Sequence, residues 1–259
     1  MAGAANLGIV DADDYGLNET GWVTALVILP GLDGTAALHA QFVASLADAF
    51  GAVTVLRYPP DKALDYAALE VLVRAALPGD VPFVLLGESF SGPIALSIAA
   101  DPPANLVGLV LSTTFARTPL PFFSPLAPLT RFAPVRALPL ALLSWWLLGR
   151  WATPALNMSL ERALLEVHPD VLRQRAALAM QADVSALLAR IGVPVMYLRA
   201  KNDRLIMPVA AARILSVIQH AIVKEIAGPH LLLQACPTTA AQAVCEFVES
   251  LGGTEDKPC

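Results

Sequence analysis

Leu85-Leu86-Gly87-Glu88-Ser89-Phe90-Ser91-Gly92 is the stretch from which the fold can be read. The run ahead of it, Val81-Pro82-Phe83-Val84-Leu85-Leu86, is almost unbroken in apolar residues and partly β-branched and aromatic, as expected of a parallel strand buried on both faces. Behind it Ile94, Ala95, Ile98 and Ala99 recur at helical spacing after Pro93, a residue suited to a first helical turn. A serine held between strand and helix takes a strained backbone, tolerable when the residues two before and two after it carry little side chain. Gly87 and Ser91 meet that demand. The strain would lift the Ser89 hydroxyl above the sheet, at the positive end of the following helix.

Such a turn is a nucleophile elbow, with Ser91 where the usual G-x-S-x-G pattern has its second glycine. Taken alone it reads equally well as a serine capping helix 91–100, so its partners must decide. Upstream, Trp22 to Leu29 is an apolar strand that ends in Pro30-Gly31-Leu32-Asp33-Gly34-Thr35. A Gly-rich turn there, leading into a helix striped by Leu38, Phe42, Leu46 and Phe50, presents backbone N–H groups at a strand's carboxyl end. The N–H groups of Leu32 and Phe90 are the expected oxyanion donors, each worth about 3 kcal/mol to a tetrahedral intermediate. Asp33 reads as a turn former, and His39, with no carboxylate in evidence, as structural.

Further strands are expected at 53–57 and 106–112, with a helix at 63–77 between them. Alternation of strands and helices implies a parallel sheet covered on both faces, whose ligands bind at the strands' carboxyl ends. A short strand at 7–10 is a further expectation. Beyond the strand at 193–199, Asp203 projects where a carboxylate could support a histidine, or could simply pair with Arg204 or Lys201. Helix 208–219 and strand 222–226 then lead to Gly228-Pro229-His230. His220 is expected to cap its helix and His168 to begin one.

Between Thr118 and about residue 188 the alternation breaks. Six prolines from Pro119 to Pro139 cut the chain into short pieces, and Phe122, Phe123, Phe132, Trp145, Trp146 and Trp151 gather there. The expectation is a helical cap at 118–188 inserted into a core formed by 1–117 and 189–259, with Trp145, Trp146, Phe122 and Phe123 lining an acyl pocket. The apolar run 137–149 is too short to span a bilayer, although its tryptophans would suit contact with a lipid interface.

Composition narrows the partners. The 259 residues are 56% hydrophobic and 15% charged, and carry a net charge of -5 without a basic cluster, which argues against nucleic acid. Cys236, Cys245 and Cys259 lack metal-ligand spacing and form an odd set, fitting a reduced, cytoplasmic setting. Residues 1–21 carry no basic, apolar leader pattern. No metal and no cofactor is expected, and an apolar cap would suit a small hydrophobic partner.

A serine hydroxyl needs an imidazole to take its proton, and the imidazole needs a carboxylate to hold it. Ser89, Asp203 and His230 supply those roles in that chain order, each just past a strand. On Leu29 to Thr35, Gly87 to Gly92, Asn202 to Pro208 and Gly228 to His230, the chain resembles the alpha/beta-hydrolase superfamily, in its capped bacterial esterase-like branch. The resemblance implies a doubly wound, mostly parallel eight-stranded sheet, of which six strands are legible. Pro30-Gly31 replaces the family's usual His-Gly before the oxyanion residue. It also implies a carboxylesterase with a Ser-His-Asp triad, or a thioesterase, lactonase or carbon–carbon bond hydrolase. A non-catalytic binder of hydrophobic ligands or of a membrane surface is the alternative of another class.

Overall fold

The computed structural model describes residues 24–46, 49–119, 121–133 and 138–252. Six strands form one sheet in the order β2-β1-β3-β4-β5-β6, with β1 at Ala25–Leu29, β2 at Ala52–Val55, β3 at Phe83–Glu88, β4 at Leu106–Ser112, β5 at Val195–Ala200 and β6 at Ile222–Ile226. All five pairings are parallel, so the described sheet is wholly rather than mostly parallel. The expected strand at 7–10, and Trp22, lie outside the described residues.

Burial on both faces explains the unbroken apolar runs in β1, β3 and β4. One face packs Val27, Leu29, Leu85, Leu109 and Tyr197 against α2 (Tyr66–Ala75), α3 (Gly92–Ala100) and α7 (Pro208–Leu215). The other packs Leu26, Ile28, Val84, Leu86, Val110 and Met196 against α1 (Ala40–Ala44), α8 (Leu232–Ala235) and α9 (Pro237–Gly252). Alternate residues of each strand thus serve opposite layers, the doubly wound arrangement that the alternation implies. The helix after β1 is much shorter than the stripe from Leu38 to Phe50 suggests. Leu46 and Phe50 are buried beyond its end.

Register brings the carboxyl ends of the strands to one rim. Leu29 pairs with Gly87, Gly87 with Leu111, Ser112 with Leu198 and Ala200 with Ile226. The loops bearing Leu32, Ser89, Asp203 and His230 all leave from this rim.

Between β4 and β5 the chain forms a 3-10 segment (Pro121–Phe132) and the helices α4 (Leu140–Leu147), α5 (Pro154–Leu165) and α6 (Pro169–Gln181). Prolines here begin helices rather than only break them: Pro154 and Pro169 occupy first-turn positions, where a missing N–H costs nothing. Thr153 caps α5 by accepting from the Leu156 N–H at 3.2 Å, and His168 caps α6 by accepting from the Asp170 N–H at 3.3 Å. The segment leaves and re-enters through a paired neck. Thr118 donates to the Ala182 carbonyl and Val184 to the Ala116 carbonyl, both at 2.8 Å, beside an Arg117–Asp183 ion pair at 3.2 Å.

Candidate active site

Ser89, Asp203 and His230 meet at the rim. His230 is buried, and its Nδ1–H donates to Asp203 Oδ2 at 2.9 Å, since a carboxylate can only accept. That assignment leaves Nε2 as an acceptor for the Ser89 hydroxyl, 2.9 Å away. The other oxygen of Asp203 accepts the Leu205 and Ile206 N–H groups at 2.8 Å each, which fixes the carboxylate's orientation. The bland pairings open to Asp203 are not made. Lys201 reaches Glu225, and Arg204 stacks on Trp145 with its guanidinium carbon 4.3 Å from the ring centroid.

Ser89 has φ +47°, in the left-handed region that a residue with a Cβ seldom adopts. The turn is over-determined by its surroundings. Thr114 donates its hydroxyl to the Ser89 carbonyl, and Tyr66 donates to the Phe90 carbonyl at 3.1 Å while stacking on the Phe90 ring at 4.9 Å. A Cβ on Gly87 would lie 2.6 Å from Ala95 Cβ, and one on Gly92 would collide with Thr114. Gly92 therefore supplies the clearance for the side chain that holds the serine's carbonyl.

Ser91 is engaged and not merely small. Its hydroxyl donates to the Pro30 carbonyl, and having one proton it accepts from the Tyr58 hydroxyl at 2.7 Å. This latch ties the turn after β1 to the turn after β3. Within the β1 turn, Gly34 donates to the Gly31 carbonyl at 3.0 Å and has φ +67°. Asp33 closes the turn as expected, accepting the N–H and hydroxyl of Thr35 at 2.9 and 2.6 Å. The Leu32 N–H finds no protein acceptor among the described residues. The Phe90 N–H lies in the opening turn at Ser89–Ser91, before an intrahelical bond can form.

Beneath these turns lies a buried ion pair. His39 Nε2–H donates to Glu88 at 2.8 Å, and the Gln234 amide donates to the other Glu88 oxygen at 3.0 Å. His39 is structural, as expected, but it does have a carboxylate. Burial disfavours its charge, yet the Glu88 carboxylate raises its pKa above the ordinary 6.5. Burial likewise opposes the Glu88 charge, and His39 with the two hydrogen bonds more than offsets it, lowering that pKa. His220 does not cap its own helix; its Nε2–H donates to the Val193 carbonyl at 3.0 Å.

No protein-family model matches the chain, and no curated protein matches it. Solved structures do match along nearly its whole length. A lipase-esterase related protein from Clostridium acetobutylicum superposes with TM-score 0.71 at 18% identity, covering 91% of this chain and 97% of its own. The enol-lactonase from Burkholderia xenovorans gives 0.72 at 18%, covering 90% and 94%. An esterase from Exiguobacterium antarcticum gives 0.73 at 13%, covering 88% and 92%. The chain has the alpha/beta-hydrolase fold.

In this alpha/beta-hydrolase fold the β4–β5 segment lies against the rim. The Leu231 N–H, next to His230, donates to the Leu147 carbonyl at 3.0 Å, and Arg204, next to Asp203, donates to the Trp145 carbonyl. Leu38, Leu160 and Ala163 form an apolar cluster joined by Leu140, Leu147, Leu164 and Leu231. Leu32 packs instead on Val167, Val171 and Leu172. Trp145 and Trp146 are 54% and 49% exposed on α4, and the side chains of Phe122 and Phe123 lie outside the described residues. The leucines around Leu32 and Leu231 carried no signal distinguishing them from ordinary amphipathic helix. The latch from Ser91 and the Glu88–His39 pair were missed because each joins residues far apart in sequence.

Ser91→Ala should lower unfolding free energy by about 1–3 kcal/mol, because it leaves a buried carbonyl and a buried tyrosine hydroxyl short of a partner; urea denaturation measures this, and an unchanged midpoint would argue against the latch. A raised His39 pKa contributes stability that is complete below about pH 6.5 and lost as pH rises through the folded value. The thermal midpoint of the wild type should therefore decline above that pH, and Glu88→Gln should abolish the decline. Parallel curves for the two proteins would contradict the ion pair.

Proposed function

We propose that the chain is a serine hydrolase that cleaves carboxylic esters of hydrophobic acids through an acyl-enzyme intermediate. The observation that carries this reading is the hydrogen-bonded chain Ser89–His230–Asp203. In the proposed reaction His230 Nε2 takes the Ser89 proton as Oγ attacks the carbonyl carbon. The carbonyl oxygen becomes an oxyanion and accepts from the N–H groups of Leu32 and Phe90. Collapse of the intermediate expels the alcohol, which takes the proton from His230. Water repeats the sequence on the acyl-enzyme and returns Ser89 with the free acid. Asp203 holds the imidazole through Nδ1 and stabilises the imidazolium. The chemistry asks for no cofactor and no metal.

The helical segment 118–188 is proposed as a cap, with the leucines around Leu32 and Leu231 meeting the acyl group. Solved neighbours named as esterases and a lactonase act on acyl compounds by their names, in keeping with this substrate class.

The exposed tryptophans favour a second reading, in which the substrate is presented at a lipid surface. No helix among the described residues is long and apolar enough to cross a membrane.

Hydrolysis of p-nitrophenyl esters from acetate to laurate should be measurable, absent in Ser89→Ala, and about four orders of magnitude slower in Asp203→Asn. Equal rates in wild type and Ser89→Ala would overturn the mechanism. In sedimentation with phosphatidylglycerol vesicles, the double variant Trp145→Ala and Trp146→Ala should lose whatever binding the wild type has. Wild-type protein left wholly in the supernatant would remove the lipid reading.

A further inference from the structure

Arg175 is the most deeply buried arginine among the described residues, only 2% exposed, and it forms no ion pair with any described carboxylate. It sits on α6, in the segment proposed as the cap, yet its guanidinium reaches down to the core. One Nη1 donates to the carbonyls of Leu32 at 3.1 Å and Asp33 at 2.6 Å, and Nη2 donates to the Pro59 carbonyl at 3.0 Å. The guanidinium carbon also lies 5.6 Å from the centroid of the Tyr58 ring, whose hydroxyl supports the Ser91 latch. Room for this approach comes from Gly34, where a Cβ would strike Nη1.

With this contact each carbonyl from Pro30 to Asp33 has a donor. Ser91 serves Pro30, the Gly34 N–H serves Gly31, and Arg175 serves both Leu32 and Asp33. Four carbonyls held from different directions fix the peptide planes between them, and the Leu32 N–H is left without a protein partner. A buried cation spent on backbone oxygens is a costly way to hold a surface turn. Its position makes sense if the orientation of that turn matters for turnover.

We propose that Arg175 is a positioning residue that sets the Leu32 N–H in the oxyanion hole, and so makes the hole dependent on the seating of the cap. The inference rests on the serine hydrolase reading above. The Leu32 side chain packs on Val167, Val171 and Leu172 as well as on the main core, so backbone and side chain of this residue both touch the segment beyond β4. A shift of α6 away from the core would release the Leu32 and Asp33 carbonyls together, and with them the alignment of the donor. Lysine cannot replace arginine here, because a single ammonium lacks the planar fork that spans the Leu32–Asp33 turn and Pro59.

The test compares phosphonylation of the full-length protein by an alkyl fluorophosphonate, in which Ser89 Oγ bonds to phosphorus, fluoride leaves and His230 takes the serine proton. The reagent reports on nucleophile and oxyanion donors without requiring that the natural substrate be known. Wild type should be labelled and Ser89→Ala not. Arg175→Lys and Arg175→Ala should be labelled roughly a hundredfold more slowly, as misalignment by about an ångström would cause. On the best p-nitrophenyl ester kcat should fall by the same factor with KM within twofold, and millimolar guanidinium should restore part of the rate to Arg175→Ala, where ammonium does not. Equal labelling rates in folded Arg175→Lys and wild type would overturn the assignment, as would a loss confined to KM. If Arg175→Ala does not fold, Arg175→Lys alone decides the matter by the same comparison. A wild type that resists labelling would instead overturn the serine hydrolase reading, and the two failures are thereby separate.

Discussion

The constraint on which this structure depends is the left-handed backbone at Ser89. A residue with a Cβ does not stay at φ +47° of its own accord, at a cost on the order of 1–3 kcal/mol. The surrounding chain has to hold it there. A buried strand stops at Glu88, α3 starts at Gly92, and the turn between them has no room to relax because Gly87 abuts Ala95 and Gly92 abuts Thr114. Thr114 holds the Ser89 carbonyl, and the Tyr197 hydroxyl donates in turn to the Thr114 carbonyl at 2.6 Å, so β4 and β5 both brace the turn. The neighbouring strands thus serve as a frame for one peptide.

Polar groups buried under the rim extend that frame sideways. Glu88 belongs to β3, His39 to the approach to α1 and Gln234 to α8, so one carboxylate joins three parts of the chain on the face opposite to α3. On the α3 face Ser91 and Tyr58 join β3's turn to β1's turn and to the loop after β2. Burying such groups is costly, and His39 Nδ1 and Gln234 Oε1 find no partner among the described residues, but the hydrogen bonds that are made allow one geometry where apolar packing tolerates several. That is the property a site needs when donors and acceptors must be placed to within a fraction of an ångström.

How much of this was legible in the sequence follows from distance along the chain. The β-strands came through because continuous apolar runs between Pro and Gly punctuation are local signals, and Ser89, Asp203 and His230 could be singled out as candidates because each sits just past such a run. The meeting of those three residues follows from parallel register alone, once the strands are ordered. Helix lengths were less legible. The stripe from Leu38 to Phe50 has helical spacing, but α1 ends at Ala44 and tertiary packing buries the rest. Ser91 passed as a small residue because its partner, the Pro30 carbonyl, carries no side-chain signature. Arg175 passed as one polar position on an amphipathic helix for the same reason: backbone carbonyls leave no mark in a sequence.

The departures from the familiar pattern of the fold are connected through one turn. Where a glycine is usual, Ser91 grips the Pro30 carbonyl; where a histidine is usual before Gly31, Pro30 offers that carbonyl and no side-chain donor of its own. Proline also limits φ at the start of the turn, which reduces the freedom the latch must remove. The turn then depends on the core at its first residue and on α6 at its third and fourth. A loop held from both sides is rigid while both sides stay in place, and its geometry changes when either moves. Under the proposal that the segment 118–188 caps the site, the Leu32 N–H would keep its orientation only while α6 stays seated on the core.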